Sequence, residues 1–134
     1  MSKQSIYLSK HLRTEYSVVY KELCKVLDES GVNHSLLPYS NDIWARDFMP
    51  VHVGGGLYLG YIYKPDYLFD KVRMRKYITE QKMATIDLPI NYITQLDIVL
   101  DGGNFVFCDD KMIMTDKIFS ENPNVKQSTP VSYT

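Results

Sequence analysis

The sequence predicts an α/β domain that is rich in short strands and carries an amphipathic helix near its N-terminus. A strand pattern over residues 5–9 is followed by apolar residues at helical spacing up to Leu27, and then by a second apolar segment over residues 32–37. Strand, helix and strand in this order form the unit from which α/β folds are built. The rest of the chain consists of short β-type segments between turn residues, and its 134 residues suffice for one domain.

The first helix is predicted from the spacing of its apolar residues. They recur at steps of three and four, as expected of a helix with one buried face: Leu12, Tyr16, Val19, Tyr20, Leu23, Val26 and Leu27. Gly31 follows Ser30, at the position where glycine commonly ends a helix. Residues 32–37 are then predicted to form a buried strand that Pro38 ends.

The elements that follow are predicted to be mostly strands. Residues 48–53 and 57–63 flank three consecutive glycines at 54–56, a pattern typical of a β-hairpin because glycine permits the positive φ of a tight turn. No lysine with serine or threonine follows at phosphate-loop spacing, so we interpret the glycines as a turn. Residues 72–79 fit a strand and a helix equally well. Further strands are predicted at 86–88, 98–100, 104–107 and 112–114, with a turn at 109–110.

The chain divides into a folded part and a tail. Residues 1–123 are predicted to form the folded part, and residues 124–134 are predicted to be disordered. Beyond Pro123 the sequence is polar and follows neither the helical nor the strand period.

Composition and charge exclude several classes of protein. Fifteen Lys and Arg stand against sixteen Asp and Glu, so the formal charge of −1 supplies neither a basic surface for nucleic acid nor a polybasic patch for a membrane. No apolar run is long enough to span a bilayer, and the N-terminus lacks the apolar stretch of a secretion signal. We therefore expect a cytoplasmic protein with no nucleic-acid partner and no membrane contact.

The cysteines and histidines predict no metal and no cofactor. Cys24 and Cys108 lie far apart and outside any C-x-x-C pattern, which favours a reducing compartment over a disulfide. The three histidines are scattered and match no metal-binding motif. Neither histidine nor lysine adjoins Cys108 to lower its pKa, so we interpret this thiol as inert, and Cys24 on the predicted helix in the same way.

The most unusual segment is residues 41–50, N-D-I-W-A-R-D-F-M-P, which contains the only tryptophan, an arginine and two carboxylates. Carboxylate oxygens accept paired N–H bonds from a guanidinium, and an indole ring attracts its delocalised charge. Asp47 and Trp44 are therefore candidates for binding a planar cation. The alternative is that Trp44 packs in the core while Arg46 and Asp47 form an internal ion pair.

Residues 100–105, L-D-G-G-N-F, are the second candidate segment. Two glycines between Asp101 and Asn104 let the backbone approach another group closely. The alternative is an ordinary sharp turn stabilised by an Asx-type hydrogen bond.

Taken together, the two segments resemble a known family. I-W-A-R-D-F-M-P-V at residues 43–51, with L-D-G-G-N-F-V later at residues 100–106, looks like the agmatine deiminase and bacterial peptidylarginine deiminase family. That family shows a W-x-R-D-x-x-P segment and then an E/D-G-G-N segment in this order. Residues 63–68 and 114–123 also look like its members, so the resemblance runs from about Ile6 to Pro123.

The resemblance implies a fold and a reaction. The family belongs to the guanidino-group-modifying enzymes, whose α/β propeller has five pseudo-symmetric blades, and this chain would supply a partial propeller of about two of the five. In such enzymes a cysteine thiolate attacks the guanidinium carbon and ammonia leaves. A histidine carries the protons, and water then releases a ureido product. Two carboxylates hold the guanidinium nitrogens.

The site residues follow from the same resemblance. Asp47 matches the first carboxylate and Trp44 the aromatic wall of the pocket. Asp101 and Asn104 match the second segment as substrate-binding residues, although glutamate is common where Asp101 stands. The residues implied to support the site structurally are Arg46, Gly102 and Gly103.

The sequence also departs from the family. Its H-x-D segment and nucleophilic cysteine come later in the chain, and no histidine follows His52 here. We therefore expect an N-terminal portion, truncated before its catalytic groups and inactive alone. The alternatives are a non-catalytic module that binds guanidines or a partner chain, and a structural protein whose motifs are architecture. The implied partners are a small guanidine such as agmatine, or an arginine side chain, and a second copy bound through open propeller edges.

Overall fold

The computed structural model describes residues 5–90, 93–108 and 111–125. The first elements are β1 (Ser5–Ser9), α1 (Lys10–Glu15), α2 (Ser17–Glu29), β2 (Asn33–Leu37) and α3 (Ala45–Phe48). A hairpin of β3 (Val51–Gly54) and β4 (Leu57–Ile62) precedes α4 (Asp66–Phe69), a 3-10 helix (Val72–Tyr77) and α5 (Gln81–Ala84). The remaining elements are β5 (Ile93–Val99), a 3-10 turn (Gly102–Asn104), β6 (Phe105–Cys108), β7 (Lys111–Met114) and α6 (Lys117–Glu121).

The strands form three small sheets. β1 pairs with β2 in parallel, β4 lies between antiparallel β3 and parallel β5, and β6 pairs with antiparallel β7. Within the described residues none of the three closes on itself. The α/β class is confirmed, and the propeller arrangement stays a prediction. None of the described helices is long and apolar enough to cross a membrane.

The predicted strand, helix and strand at the N-terminus are confirmed, with two corrections. The helix is interrupted at Tyr16, whose φ of −128° and ψ of 50° are not helical, so two helices replace one. The predicted buried face is wrong, because Leu27 is the buried residue of α2 whereas Tyr16, Val19 and Val26 are exposed. An apolar stripe predicts a buried face only where another element covers it. β2 alternates between exposed and covered residues and is therefore only half-buried.

Two glycine predictions are confirmed by the backbone. Gly31 has a φ of 66°, and the N–H of Val32 donates to the carbonyl of Leu27 at 2.9 Å, which closes the end of α2. The glycines at 54–56 all have positive φ and connect the antiparallel strands β3 and β4.

Several other boundaries differ from the prediction. Phe48 belongs to α3 and not to the following strand, and residues 86–88 form a turn instead of a strand. The ambiguous segment contains the 3-10 helix, and residues 98–99 extend a strand that begins at Ile93. The predicted turn at 109–110 and residues 126–134 of the predicted tail lie outside the described residues.

One apolar cluster forms the core. Its buried members are Leu37, Phe48, Val51, Tyr61, Tyr63, Ala84, Leu100, Phe105 and Ile118. These residues come from β2, α3, both hairpin strands, α5, β6 and α6, together with the segments that follow β4 and β5. Because Phe48 ends the first motif while Leu100 and Phe105 bracket the second, the core brings the two motifs together.

Candidate functional site

The first motif forms one short helical turn that is fixed by the core and by strand β4. The backbone N–H of Asp47 donates to the carbonyl of Trp44 at 3.0 Å, and Phe48, which has no exposed surface, anchors the turn in the core. The Tyr61 hydroxyl of β4 donates to the carbonyl of Asp47 at 2.8 Å and lies 2.9 Å from that of Met49. This turn is therefore fixed by the hairpin beneath it.

The second motif is a tight turn between β5 and β6. Its start is attached to β4, because the N–H of Leu100 donates to the carbonyl of Ile62 at 3.1 Å. The Asn104 backbone N–H donates to the Asp101 carbonyl at 2.9 Å, and the Asn104 amide Nδ2 donates to Asp101 Oδ2 at 3.2 Å. A sharp turn is present, but it is closed by a backbone bond and a bond between two side chains and not by an Asx-type bond from the Asp101 side chain to a backbone N–H. The bond from Asn104 orients the Asp101 carboxylate.

Arg46 joins the two motifs. Its Nε donates to the carbonyl of Gly102 and its Nη2 to the carbonyl of Phe105, both at 3.0 Å, and its guanidinium lies 5.3 Å from the Phe105 ring centroid. The ion pairs among the described residues do not include one between Arg46 and Asp47. The arginine is thus a structural bridge, and the Asp47 carboxylate keeps its negative charge for another partner.

The two glycines allow the motifs to touch. A Cβ on Gly102 would overlap the carbonyl oxygen of Arg46, and a Cβ on Gly103 would lie 2.8 Å from Asp47 Oδ1. The N–H of Gly103 donates to the Asp47 carboxylate. Only a residue without a side chain fits at Gly102 while the backbone of Arg46 stays in place.

The carboxylates of Asp47 and Asp101 lie close enough for the charge of one to act on the other. Burial, and after it the charge of Asp101, raises the pKa of Asp47, while the Gly103 N–H acts in the opposite direction. Asp101 is only 7% exposed, and its Oδ1 accepts no hydrogen bond from any described residue. This oxygen has almost no accessible surface, and a buried carboxylate oxygen without a donor is costly.

Lys117 supplies the positive charge next to this pair. Its Nζ lies 3.3 Å from Asp101 Oδ2, 3.4 Å from Asp66 Oδ1 and 3.0 Å from Glu121 Oε1. Burial alone would lower the pKa of Lys117, but the carboxylates of Glu121 and Asp101 outweigh it and raise that pKa. The lysine is therefore a permanent cation on one oxygen of Asp101.

Tyr61 and Tyr63 are uncharged groups close to the two carboxylates. Burial is the largest cause that raises the pKa of each phenol, followed by the Asp47 charge for Tyr61 and by the Tyr67 hydroxyl for Tyr63. Both hydroxyls stay protonated, so they contribute hydrogen-bonding groups and no charge.

Trp44 lies beside a different depression. Its side chain is 58% exposed and lines a cavity of about 240 Å³ together with Asp42, Tyr16 and Tyr77. Asp47 and Asp101 are not part of that wall. The alternative in which Trp44 packs in the core does not hold, and the contact of its indole with a guanidinium stays a prediction.

The sequence analysis missed two contributors to the site. Tyr61 and Lys117 lie far from both motifs in the sequence, and nothing in their local pattern marks them. Within the described ranges, no group of three or more histidine, cysteine, aspartate and glutamate side chains could hold a metal ion. The comparisons add no relative: no protein-family model, curated protein or solved structure matches the chain.

Proposed function

We propose that this chain carries the guanidinium-recognising part of a deiminase-like hydrolase that acts on agmatine or on an arginine-like guanidine. The observation that carries the proposal is the contact between the two motifs, through which the charge of the buried Asp101 acts on the Asp47 carboxylate. Neighbouring carboxylates can accept the planar N–H groups of a guanidinium. A cytoplasmic location belongs to the same proposal.

The proposed reaction needs more than these carboxylates. A thiolate has to attack the guanidinium carbon, and a base has to carry protons while ammonia leaves and water enters. Asp47 and Asp101 would hold the guanidinium nitrogens and stabilise the positive charge. We expect the 134-residue chain alone to bind a guanidine without releasing ammonia.

A non-catalytic guanidine-binding or partner-binding module is the second candidate, and it requires no histidine at the carboxylates. His11 pairs with Glu15 at 2.8 Å, and His34 pairs with Asp28 at 3.0 Å. His52 stacks on Tyr58 with 4.9 Å between the ring centroids. None of the three contacts Asp47 or Asp101 through these partners, so the described site contains carboxylates but no imidazole base.

Binding of agmatine tests the carboxylate pair. Titration followed by calorimetry or by NMR shifts should detect weak, millimolar binding, because charge-assisted bonds contribute under about 1 kcal/mol where water screens them. Asp101→Asn should weaken binding by about tenfold, since the amide removes the buried charge. Asp97→Asn, on the exposed part of β5, is the matched control and should leave binding unchanged. Equal affinity in all three proteins would remove the site from the proposal.

The agmatine titration also needs a variant that weakens binding without destabilising the fold. Asp47→Asn is this variant. The raised pKa of Asp47 means that its stabilising contribution is present below the ordinary value of 3.8 and is lost as the pH rises through the raised value. At neutral pH the variant should therefore be as stable as the wild type, or more stable by about 1 kcal/mol or less, while it binds agmatine more weakly. Thermal unfolding at pH 7 and at pH 3 measures the stability of the variant, and the agmatine titration at pH 7 measures its binding.

Self-association is a further part of the proposal. The exposed residues Val19 and Val26 lie on one face of α2, and the exposed Tyr16 directly precedes the helix, so a second copy can cover this apolar stripe. Light scattering should show dimers or larger species that dissociate in a Val19→Lys, Val26→Lys double variant. A Lys21→Glu, Lys25→Glu variant places charges elsewhere on α2 and serves as the control. A wild-type monomer at every concentration would contradict the expectation.

A further inference from the structure

A second group of chemically active side chains lies away from the carboxylate pair, where α2 packs on β2. Cys24 Sγ is 3.8 Å from His34 Nδ1, and His34 Nε2 is 3.0 Å from Asp28 Oδ1. Cys24 and Asp28 are one helical turn apart on α2, and His34 is the second residue of β2. A thiol, an imidazole and a carboxylate thus follow one another within contact distance.

The order of these groups assigns a role to each. Both contacts are satisfied by the tautomer in which His34 carries its proton on Nε2 and donates it to Asp28, which leaves Nδ1 free to accept from the thiol. A nucleophile next to a base that a third group orients is the arrangement by which proteins activate cysteine. Cys24 is also the main cause that raises the pKa of Tyr20, which lies one helical turn before it.

A groove lies beside the group, with His34 and Asp28 in its wall but not Cys24. Cys24 is half-buried and not sealed in the core. The groove is open, has a volume of about 970 Å³ and is bordered by β2 on one side and by Leu88 and Pro89 on another. A peptide-sized molecule in this groove lies against the imidazole.

We propose that Cys24 is a nucleophilic thiol that exchanges with low-molecular-weight disulfides, with His34 as its base and Asp28 as the residue that positions His34. The thiol proton passes to His34 Nδ1, and the sulphur attacks one sulphur of the disulfide. A mixed disulfide forms as the bond within the reagent breaks, and the departing thiolate takes the proton from His34. One disulfide is consumed and one is formed, so no further oxidant is needed.

The chemistry of the group favours disulfides over acyl compounds. Exchange needs a thiolate and a proton for the leaving sulphur, and His34 serves both steps. Acyl transfer also requires donors that stabilise an oxyanion. The proposal is independent of the guanidine site, because it shares no residue with that site.

The test uses oxidised glutathione and the full chain at pH 7. Peptide mass mapping should find one glutathionyl group on Cys24, and dithiothreitol should remove it. His34→Gln should slow the reaction by about three- to tenfold, because the thiol then loses the neighbouring group that accepts its proton and returns it to the leaving sulphur. His52→Gln is the matched control and should react at the wild-type rate, since His52 stacks on Tyr58.

A second variant keeps the test decisive if His34→Gln folds poorly. Asp28 is exposed, so Asp28→Asn should leave the fold intact and slow the reaction by about twofold. Cys24→Ser should abolish modification of this peptide. Equal rates for the wild type, Asp28→Asn and His34→Gln would overturn the proposal, as would a folded chain in which Cys24 stays unmodified.

Discussion

Replacing Gly102 by alanine should lower the free energy of unfolding by about 3 kcal/mol, near the upper end of what a single added methyl group costs in a packed site. The new Cβ would overlap the carbonyl oxygen of Arg46, and it would lie 2.8 Å from the Tyr61 hydroxyl. A backbone carbonyl cannot rotate away as a side chain can. The two motifs must therefore separate, and the hydrogen bond from Arg46 Nε to the Gly102 carbonyl is lost with them.

Gly103→Ala is the natural comparison. Its Cβ would meet only the Asp47 carboxylate, which can turn aside, so the loss of stability should be about 1 kcal/mol while agmatine binding still weakens. Urea unfolding followed by circular dichroism gives both values. Wild-type unfolding midpoints for Gly102→Ala would mean that the motifs do not touch as described.

Phe48→Ala should be the most destabilising single truncation near the site, with a loss of about 3–5 kcal/mol. The Phe48 ring is fully buried, and its centroid lies 6.1 Å from that of Tyr63. The cavity left behind would sit directly under the helical turn that carries Asp47. Because domains are stable by only about 5–15 kcal/mol, this loss would remove a large part of the free energy of unfolding.

Two control variants distinguish the loss of core packing at Phe48 from the general effect of removing an aromatic ring. Phe48→Leu keeps most of the volume and should lose roughly 1–2 kcal/mol. Phe119 is 37% exposed, and Phe119→Ala should cost under about 1 kcal/mol. Differential scanning calorimetry ranks the three proteins. A midpoint for Phe48→Ala above that of Phe119→Ala would show that α3 is not anchored through Phe48.

The local signals in the sequence were sufficient for the elements that depend on backbone chemistry. The end of α2 at Gly31 and the hairpin around residues 54–56 need positive φ, and glycine marks that need directly. Helical spacing located α2, but it could not reveal whether a neighbour covers the apolar stripe. The placement of Phe48 in a helical turn depends on its burial in the core cluster beside Tyr63, and local sequence does not contain that information.

In the candidate site, too, local sequence signals predicted some features, and other features depend on long-range contacts. The sequence identified Asp47 and Asp101 as residues of interest and allowed both an ion pair and a turn as alternatives. The long-range contacts argue against the ion pair, because Arg46 donates to two carbonyls of the second motif and forms no ion pair with Asp47. Cys24 was interpreted as inert because His34 belongs to another element, and only the packing of α2 on β2 brings the two together.

Lys117 acts as an internal competitor for any cation that approaches the carboxylates of Asp47 and Asp101. Through α6, the protein carries its own ammonium ion to Asp101 Oδ2, where it acts as a tethered ligand at an effective concentration of millimolar order or above. A dissolved amine has to compete with that ion, and it offers only a point charge. In the proposed site, a guanidinium that approached from the side of Asp47 would not have to displace the lysine from Oδ2. Lys117 would thereby make the proposed site selective for a planar cation over a simple ammonium ion.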